Sequence, residues 1–292
     1  MAYPSSKKDP AVSIPARLTQ PIKRAVAQQV IELFNDQSRG EIPVRRRTDG
    51  MFGPTAVAWR IHGDVGAMMI GGIASLMLQM LHPAVLAGVW DHSNFRQDMH
   101  GRLRRTARFI ATTTYGGPEE AKALIARINA IHAMVKGRLP DGAPYSAQDP
   151  ALLAWVHVTE VTSFLGAWSR YGEPFMSASD KDRYVAEMAQ IGQALGADPV
   201  PRSRTAALRL MRDMRPTLRV DERTRMIASI LLNQRAPNPL ISRTQGLINQ
   251  AALDVMPAWA QRSHGIDASL LRRPAVRLGA FSVAQTLRWA FS

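Results

Sequence analysis

Apolar residues recur at spacings of three and four along most of this chain, which is the period of an amphipathic helix. Segments that alternate between polar and apolar residues, the pattern of a strand, are few. Glycine and proline clusters, such as Gly116-Gly117-Pro118, separate the helical stretches. The predicted helices cover residues 21–34, 65–81, a run that ends near 116, then 118–137, 150–172, 180–195, 202–215, 221–232, 240–256 and 275–291. The pattern predicts an all-α fold in a single compact domain of many helices.

The same pattern divides the chain into three segments. We predict a mobile N-terminal arm at residues 1–16, a helical domain at 17–256 and an amphipathic C-terminal segment at 257–292 that packs on the domain. The first residues lack the apolar run of a secretory signal, so we expect a cytoplasmic protein. The amphipathic C-terminal segment leaves peripheral contact with a membrane surface as an alternative.

The stretch from Val65 to Trp90 contains no Asp, Glu, Lys or Arg. A membrane-spanning helix needs about 20 uninterrupted apolar residues, but glycines dilute this stretch and His82-Pro83 biases it to end near Leu81. We therefore expect a buried central helix. Its glycines would let a partner helix or a flat macrocycle approach closely. Its methionines would form a soft apolar wall, or would simply fill the core.

Composition narrows the chemistry without identifying it. The chain has 292 residues, of which 46% are hydrophobic, so it can bury a large core. It has no cysteine, which excludes thiolate-ligated haem, iron–sulfur clusters, cysteine zinc sites and disulfides. The sequence also contains no phosphate-binding glycine loop, no His-Glu-x-x-His motif and no Gly-x-Ser-x-Gly motif.

The net charge of +14 raises the question of an anionic partner. The cationic residues are spread along the chain, and no helix-turn-helix, zinc-finger or RNA-binding signature occurs among them. We therefore expect no specific nucleic-acid partner. Attachment to an anionic partner through the basic surface stays open as an alternative. No segment identifies an electron donor or an oligomeric state.

Two groups of residues could carry chemistry. His132 has the apolar neighbours Ile131 and Met134, and a neutral imidazole in apolar surroundings can ligate a metal through one ring nitrogen. A lone helix histidine is nevertheless more often a core or surface residue. On the preceding predicted helix, Arg102, Arg105 and Thr106 project from one side and give it a cationic, hydrogen-bonding face.

Five motifs in order along the chain resemble a known family. They are Gln79-Met-Leu-His82-Pro83, Asp91-His92-Ser93-x-Phe95, Arg102-x-x-Arg105-Thr106, His132-x-x-Val135-x-Gly137 and a segment from Tyr145 through Asp149-Pro150 and Trp155 to His157. The family is that of the all-helical haem b oxygenases, which includes latex-clearing protein (a rubber oxygenase) and the oxygenase of mycophenolic acid biosynthesis. The resemblance runs from about residue 53 to about residue 171, and more loosely to about residue 256.

The resemblance implies a haem b pocket with His132 as the proximal iron ligand and Arg102, Arg105 and Thr106 on the distal side. His157, on the next helix, could face the same cavity as His132, which leaves a bis-imidazole haem as an alternative to one with an open coordination position. The resemblance implies the open position. His82 and His157 are further candidates for contact with the cofactor, although His82 could instead cap a helix.

Two departures from the family pattern limit what can be carried over. Arg105 stands where latex-clearing protein has a lysine, and arginine cannot ligate iron because it stays protonated, so we predict water or nothing as the distal ligand. The resemblance to latex-clearing protein also implies a glutamate near the haem that acts as a base, upstream of the arginine–threonine motif. It has no counterpart here, because no glutamate occurs between Glu41 and Glu119. The conceivable substitutes are Gln79, His82, Asp91 and Asp98. Cleavage of polyisoprene is therefore not expected.

The resulting hypothesis is a haem b-dependent oxidoreductase that uses dioxygen or peroxide on an apolar small molecule. His132 would hold the iron, Arg102 and Arg105 would balance the haem propionates or polarise oxygen, and Thr106 would donate a hydrogen bond. The alternative is a non-catalytic helical protein that binds haem, or one that binds an anionic partner through its basic surface.

Overall fold

The structure is a computed structural model, which describes residues 40–233, 239–266 and 273–291 and single positions between 20 and 35. The predicted N-terminal arm at 1–16 lies outside the described residues. The described positions from 20 to 32 are helical, as the sequence predicts. The all-α prediction is confirmed, because the described elements are nearly all helices that surround one apolar core.

The helices are numbered here in chain order. They are α1 (Val57–His62), α2 (Val65–Gln79), α3 (Pro83–His92), α4 (Met99–Tyr115), α5 (Pro118–Met134), α6 (Pro150–Ala167), α7 (Ala178–Ala194), α8 (Arg204–Asp213), α9 (Glu222–Leu232), α10 (Pro239–Val255), α11 (Ala258–Ser263) and α12 (Arg273–Phe291). A π-helical turn at Trp168–Gly172 extends α6, and a short 3-10 helix occupies Arg215–Thr217. Two strands, β1 (Lys136–Arg138) and β2 (Pro144–Ser146), pair antiparallel between α5 and α6.

The helix starts follow local capping rules. Pro118 and Pro150 occupy first-turn positions, where the missing N–H costs nothing. Asp149 is the N-cap of α6, and its side chain accepts a hydrogen bond from the N–H of Ala151 at 2.9 Å. The sequence did not predict the hairpin, because strands of three residues are too short to show an alternating pattern.

Helix α2 is the central element, and its most extensive contact is with α6. Gly71 makes this contact possible: an added Cβ there would lie 2.9 Å from Cα of Phe164, closer than atoms can approach. The predicted use of a glycine for the close approach of a partner helix is thus confirmed at Gly71. The predicted end near Leu81 is also confirmed, since α2 ends at Gln79 and α3 begins at Pro83.

The helix ends near α2 are fixed by charged side chains. Asp64 caps α2 by accepting a hydrogen bond from the N–H of Ala67 at 2.7 Å, and it also pairs with Arg288 of α12 at 2.5 Å. Asp254 of α10, which is almost fully buried, pairs with Arg170 and Arg277 at 3.1 Å each. These contacts attach α10 and α12 to the central pair of helices.

Within the described part of the chain, no single helix is long and apolar enough to cross a membrane. Helices α2 and α3 would pass such a test together by length and composition, but they meet at an angle of 107°.

Candidate functional site

An apolar cavity of about 220 Å³ lies between α2, α4, α6 and α10. Helix α2 contributes Gly72 and the methionines that were predicted to form a soft apolar wall. Helix α4 contributes the cationic residues Arg102 and Arg104, and α6 contributes Val156, Glu160 and Phe164. The lining side chains include Met68, Met69, Gly72, Ile73, Leu76, Gln79, His100, Arg102, Leu103, Arg104, Thr106, Ile110, Val156, Glu160, Phe164 and Gln245.

Two of the three predicted distal residues line this cavity. Arg102 donates a hydrogen bond to Oγ of Ser93 at 3.4 Å, and burial lowers the pKa of its guanidinium to about 10. Thr106 lies one turn further along α4, and its hydroxyl donates to the carbonyl of Arg102 at 3.2 Å. A cation and a hydroxyl therefore stand next to each other on the part of the wall that α4 provides.

The structure does not bring Arg105 into the cavity. Its side chain is 54% exposed, lies 3.6 Å from the carboxylate of Asp98 and donates a hydrogen bond to Asn94 at 3.3 Å. Arg105 and Thr106 are consecutive, so they diverge by about 100° around the helix axis. When Thr106 faces the cavity, Arg105 points towards solvent.

A second, smaller chamber of about 50 Å³ adjoins the cavity. The two share four wall residues, Ile110, Val156, Glu160 and Phe164. The small chamber is lined by His62, His132 and His157. The structure therefore brings His132 and His157 to one chamber, as was expected for consecutive helices joined by a compact connection.

The three histidines of this chamber differ in their hydrogen bonds. Nδ1 of His132 and Nε2 of His157 are buried and find no hydrogen-bond partner among the described residues. His62 is saturated, because its ring nitrogens lie 2.7 Å from the hydroxyl of Thr114 and 2.8 Å from that of Tyr184. Two imidazoles thus keep a ring nitrogen that can bind a further group.

Burial also sets the charge of these rings. It lowers the pKa of His132, and it lowers the pKa of His157 to about 4. Both rings are therefore neutral at pH 7, the form that ligates a metal. The His157 ring packs on Gly192 of α7, where an added Cβ would lie 3.0 Å from the ring carbons.

The surroundings of His132 differ from what the sequence indicated. The flanking residues Ile131 and Met134 are 47% and 75% exposed, so they do not enclose the ring. The apolar walls of the chamber come from other helices, namely α4, α6 and α7. Within the parts of the chain that the structure describes, no cluster of three or more His, Cys, Asp or Glu side chains could hold a metal ion.

His82 lies away from both chambers. Its Nδ1 accepts a hydrogen bond from the N–H of Ala84 at 3.3 Å and so caps α3, and the ring lines a separate open groove beside Tyr145. The capping role was the alternative weighed for this residue. The geometry does not bring His82 together with His132 or Arg102.

Sequence reasoning missed Glu160, which lines both chambers. Of the conceivable substitutes for a base, Asp91 accepts a hydrogen bond from Tyr145 at 2.7 Å, and Asp98 caps α4. Neither lines either chamber, whereas Gln79 does line the cavity. A signal for Glu160 was present, because Val156, Glu160 and Phe164 follow one another at four-residue spacing and share one face of α6.

An all-helical body with an apolar cavity beside two free imidazoles is compatible with several classes of small-molecule protein. Residues 59–289 match the family model described as "ER-bound oxygenase mpaB/B'/Rubber oxygenase, catalytic domain". The match covers most of the chain, so the chain belongs to this family and is an enzyme of the oxygenase class. Comparisons with curated proteins and with solved structures gave no match.

Proposed function

We propose that this protein is a haem b-dependent oxygenase that acts on an apolar small molecule with dioxygen or peroxide. Membership of the oxygenase family supports the reaction class. The observation that carries the proposal is the pair of buried, unpartnered ring nitrogens of His132 and His157 beside an apolar cavity. A buried polar atom without a partner costs free energy, so such an atom is typical of a site that receives a ligand.

The residues of the chamber fit a haem whose iron is held by His132. The donor is a neutral imidazole, and the chain has no cysteine that could compete for the iron. When bound, haem would supply the redox chemistry that activates dioxygen or peroxide. The aliphatic and aromatic walls of the two chambers would exclude water from the same space.

Arg102 and Thr106 line the larger cavity and would supply polar groups to a ligand bound there. The Arg102 guanidinium stays protonated even though burial lowers its pKa, so it places a fixed positive charge at the wall of the cavity. Such a charge stabilises a propionate or an oxygen atom that gains negative charge. The Thr106 hydroxyl bonds only within its own helix, so it can rotate towards a ligand. Arg105 contacts Asp98 and Asn94, so we do not expect it to contact the cofactor.

The cavity also indicates the kind of substrate. Much of its wall is apolar and includes Met68, Met69, Ile73, Leu76 and Leu103, while polar side chains enter it from α2, α4, α6 and α10. Pockets of this kind bind apolar molecules and use the polar groups to orient them. We therefore keep an apolar small molecule as the substrate class.

One observation favours a second candidate. Because His132 and His157 line the same chamber and each has a free nitrogen, both could bind one iron. A bis-imidazole haem would transfer electrons or store haem, and it would bind small ligands poorly. The family membership makes this the second choice.

Three alanine variants, each expressed with a haem supply, test the assignment by their haem content. His132→Ala is expected to lose most of its haem, whereas His157→Ala and the exposed control His92→Ala should keep theirs. Full haem retention by His132→Ala would overturn the ligand assignment. A wild-type spectrum of a six-coordinate low-spin haem that becomes high-spin in His157→Ala would favour the bis-imidazole candidate instead.

A further inference from the structure

Glu160 occupies the boundary between the two chambers. It lies near the middle of α6, where it lines the cavity with Arg102 and Thr106 and also lines the chamber that contains His132 and His157. Glu160 is partly buried and lines both spaces. Among the described residues that line either chamber, Glu160 is the only acidic one.

The neighbours of Glu160 leave it without a full counter-charge. Gln79 of α2 and the positive charge of Arg102 both favour the charged form of the carboxyl. The described structure contains no ion pair for Glu160. Burial outweighs both favourable influences and raises the pKa of Glu160 from 4.5 to about 7.

We propose that Glu160 is the acid–base residue of this site, which takes a proton from an O–H group held in the cavity and later returns it. This inference rests on the proposed function. In the step, the O–H bond of the ligand breaks, the proton joins a carboxylate oxygen of Glu160, and the bonding electron pair stays on the ligand oxygen. Hydrogen peroxide and a hydroxyl-bearing substrate are both donors of this kind.

Four polar groups in this region, Arg102, Gln79, Tyr184 and His157, do not compete for this role. Arg102 cannot give up its proton at neutral pH, and the amide of Gln79 does not ionise. Burial and, to a lesser extent, the negative charge of Glu160 raise the pKa of the Tyr184 phenol well above 10, so the phenol keeps its proton. His157, one turn earlier on α6, stays neutral because its pKa lies near 4. His100 and Arg104 reach the cavity from α4.

A group that is half ionised near pH 7 is matched to proton transfer under cellular conditions. Its position on α6 also explains why no glutamate is needed upstream of Arg102. The carboxyl enters the cavity from α6, the helix that packs on α2, whereas Arg102 comes from α4.

Cyanide is a suitable probe, because hydrogen cyanide must lose its proton to bind a ferric haem as the anion. The association rate of the haem-loaded wild-type protein should fall as the pH drops below about 7, because the carboxylate is then protonated. Glu160→Gln should bind cyanide about 10²-fold more slowly and lack this pH dependence. Glu119→Gln makes the same chemical change on an exposed side chain and should behave as the wild type.

A second variant leaves Glu160 in place. Gln79→Met removes an interaction that favours the charged carboxyl, so the midpoint of the rate profile should move to higher pH. An unmoved midpoint would contradict the assignment, as would a folded Glu160→Gln protein with the wild-type rate and profile.

Infrared spectroscopy of the protein as purified gives a readout that does not depend on haem. The wild type and Glu119→Gln should show a protonated carboxyl band at about pH 6 that disappears by about pH 8, and Glu160→Gln should lack it. If the wild type lacks this band, the inference about Glu160 is overturned but the proposed function is not. A wild type that shows the band but takes up no haem overturns the proposed function, and with it the catalytic role of Glu160.

Discussion

Replacement of Glu160 by glutamine should make the folded protein more stable at neutral and alkaline pH. Burial raises the pKa of the carboxyl to about 7 in the folded chain, from 4.5 in the unfolded chain. Between these values the folded state holds a proton that the unfolded state has released. The free energy of unfolding therefore falls as the pH rises from about 4.5 to about 7. Glutamine cannot ionise, so the variant lacks this loss.

The magnitude follows from the two pKa values. At about 1.4 kcal/mol for each pKa unit, the difference between about 7 and 4.5 corresponds to about 3 kcal/mol at high pH. About 2 kcal/mol of this difference should develop between about pH 5 and about pH 8. Below about pH 4.5 both states are protonated and the contribution disappears.

Urea unfolding of the wild type, Glu160→Gln and Glu119→Gln at about pH 5 and about pH 8 measures this effect directly. The difference in unfolding free energy between Glu160→Gln and the wild type should increase with pH by the stated amount, and the difference for Glu119→Gln should stay constant. Other titrating groups, such as the buried histidines, contribute equally to all three proteins and cancel. A pH-independent difference for Glu160→Gln would refute the claim that this carboxyl is held protonated by burial.

Two further pairs of variants test the fold and the distal side. Gly71→Ala should destabilise the protein by about 1–3 kcal/mol, because the new Cβ meets the backbone of Phe164. In Gly72→Ala the nearest atom is 4.0 Å away, so thermal unfolding should show no loss and up to about 1 kcal/mol of gain; equal effects would contradict the described contact of α2 with α6. Arg102→Gln should change the ligand-binding spectrum of the haem-loaded protein, whereas Arg105→Gln should leave it unchanged, and the reverse order would show that the cavity is not the distal side.

The sequence was a good guide where local chemistry decides the structure. The helix period predicted the helices, and His82-Pro83 and Asp149-Pro150 predicted where one ends and another begins. The absence of charge from Val65 to Trp90 predicted the buried central helix. These features depend on residues within one or two turns of each other, so they can be read without knowledge of the packing.

The candidate site depends on packing between helices, and here the sequence was less informative. Helical periodicity grouped Arg102, Arg105 and Thr106 on one side, but only the packing of α4 decides which part of that side faces the cavity. The resemblance directed the prediction of a base to residues upstream of Arg102. Glu160 was missed because it comes from α6, about 58 residues further along the chain, and meets Arg102 only in the folded protein.

The central claim is that the two chambers receive a haem with an accessible coordination position. It is tested most directly by the ultraviolet–visible spectrum of the purified protein, expressed with a haem supply, before and after reduction with dithionite and addition of carbon monoxide. We predict a strong Soret band that shifts with carbon monoxide in the wild type and is largely lost in His132→Ala. A wild-type protein that is free of haem and does not take up added hemin would contradict the account, and would favour a protein that binds anionic partners through its basic surface.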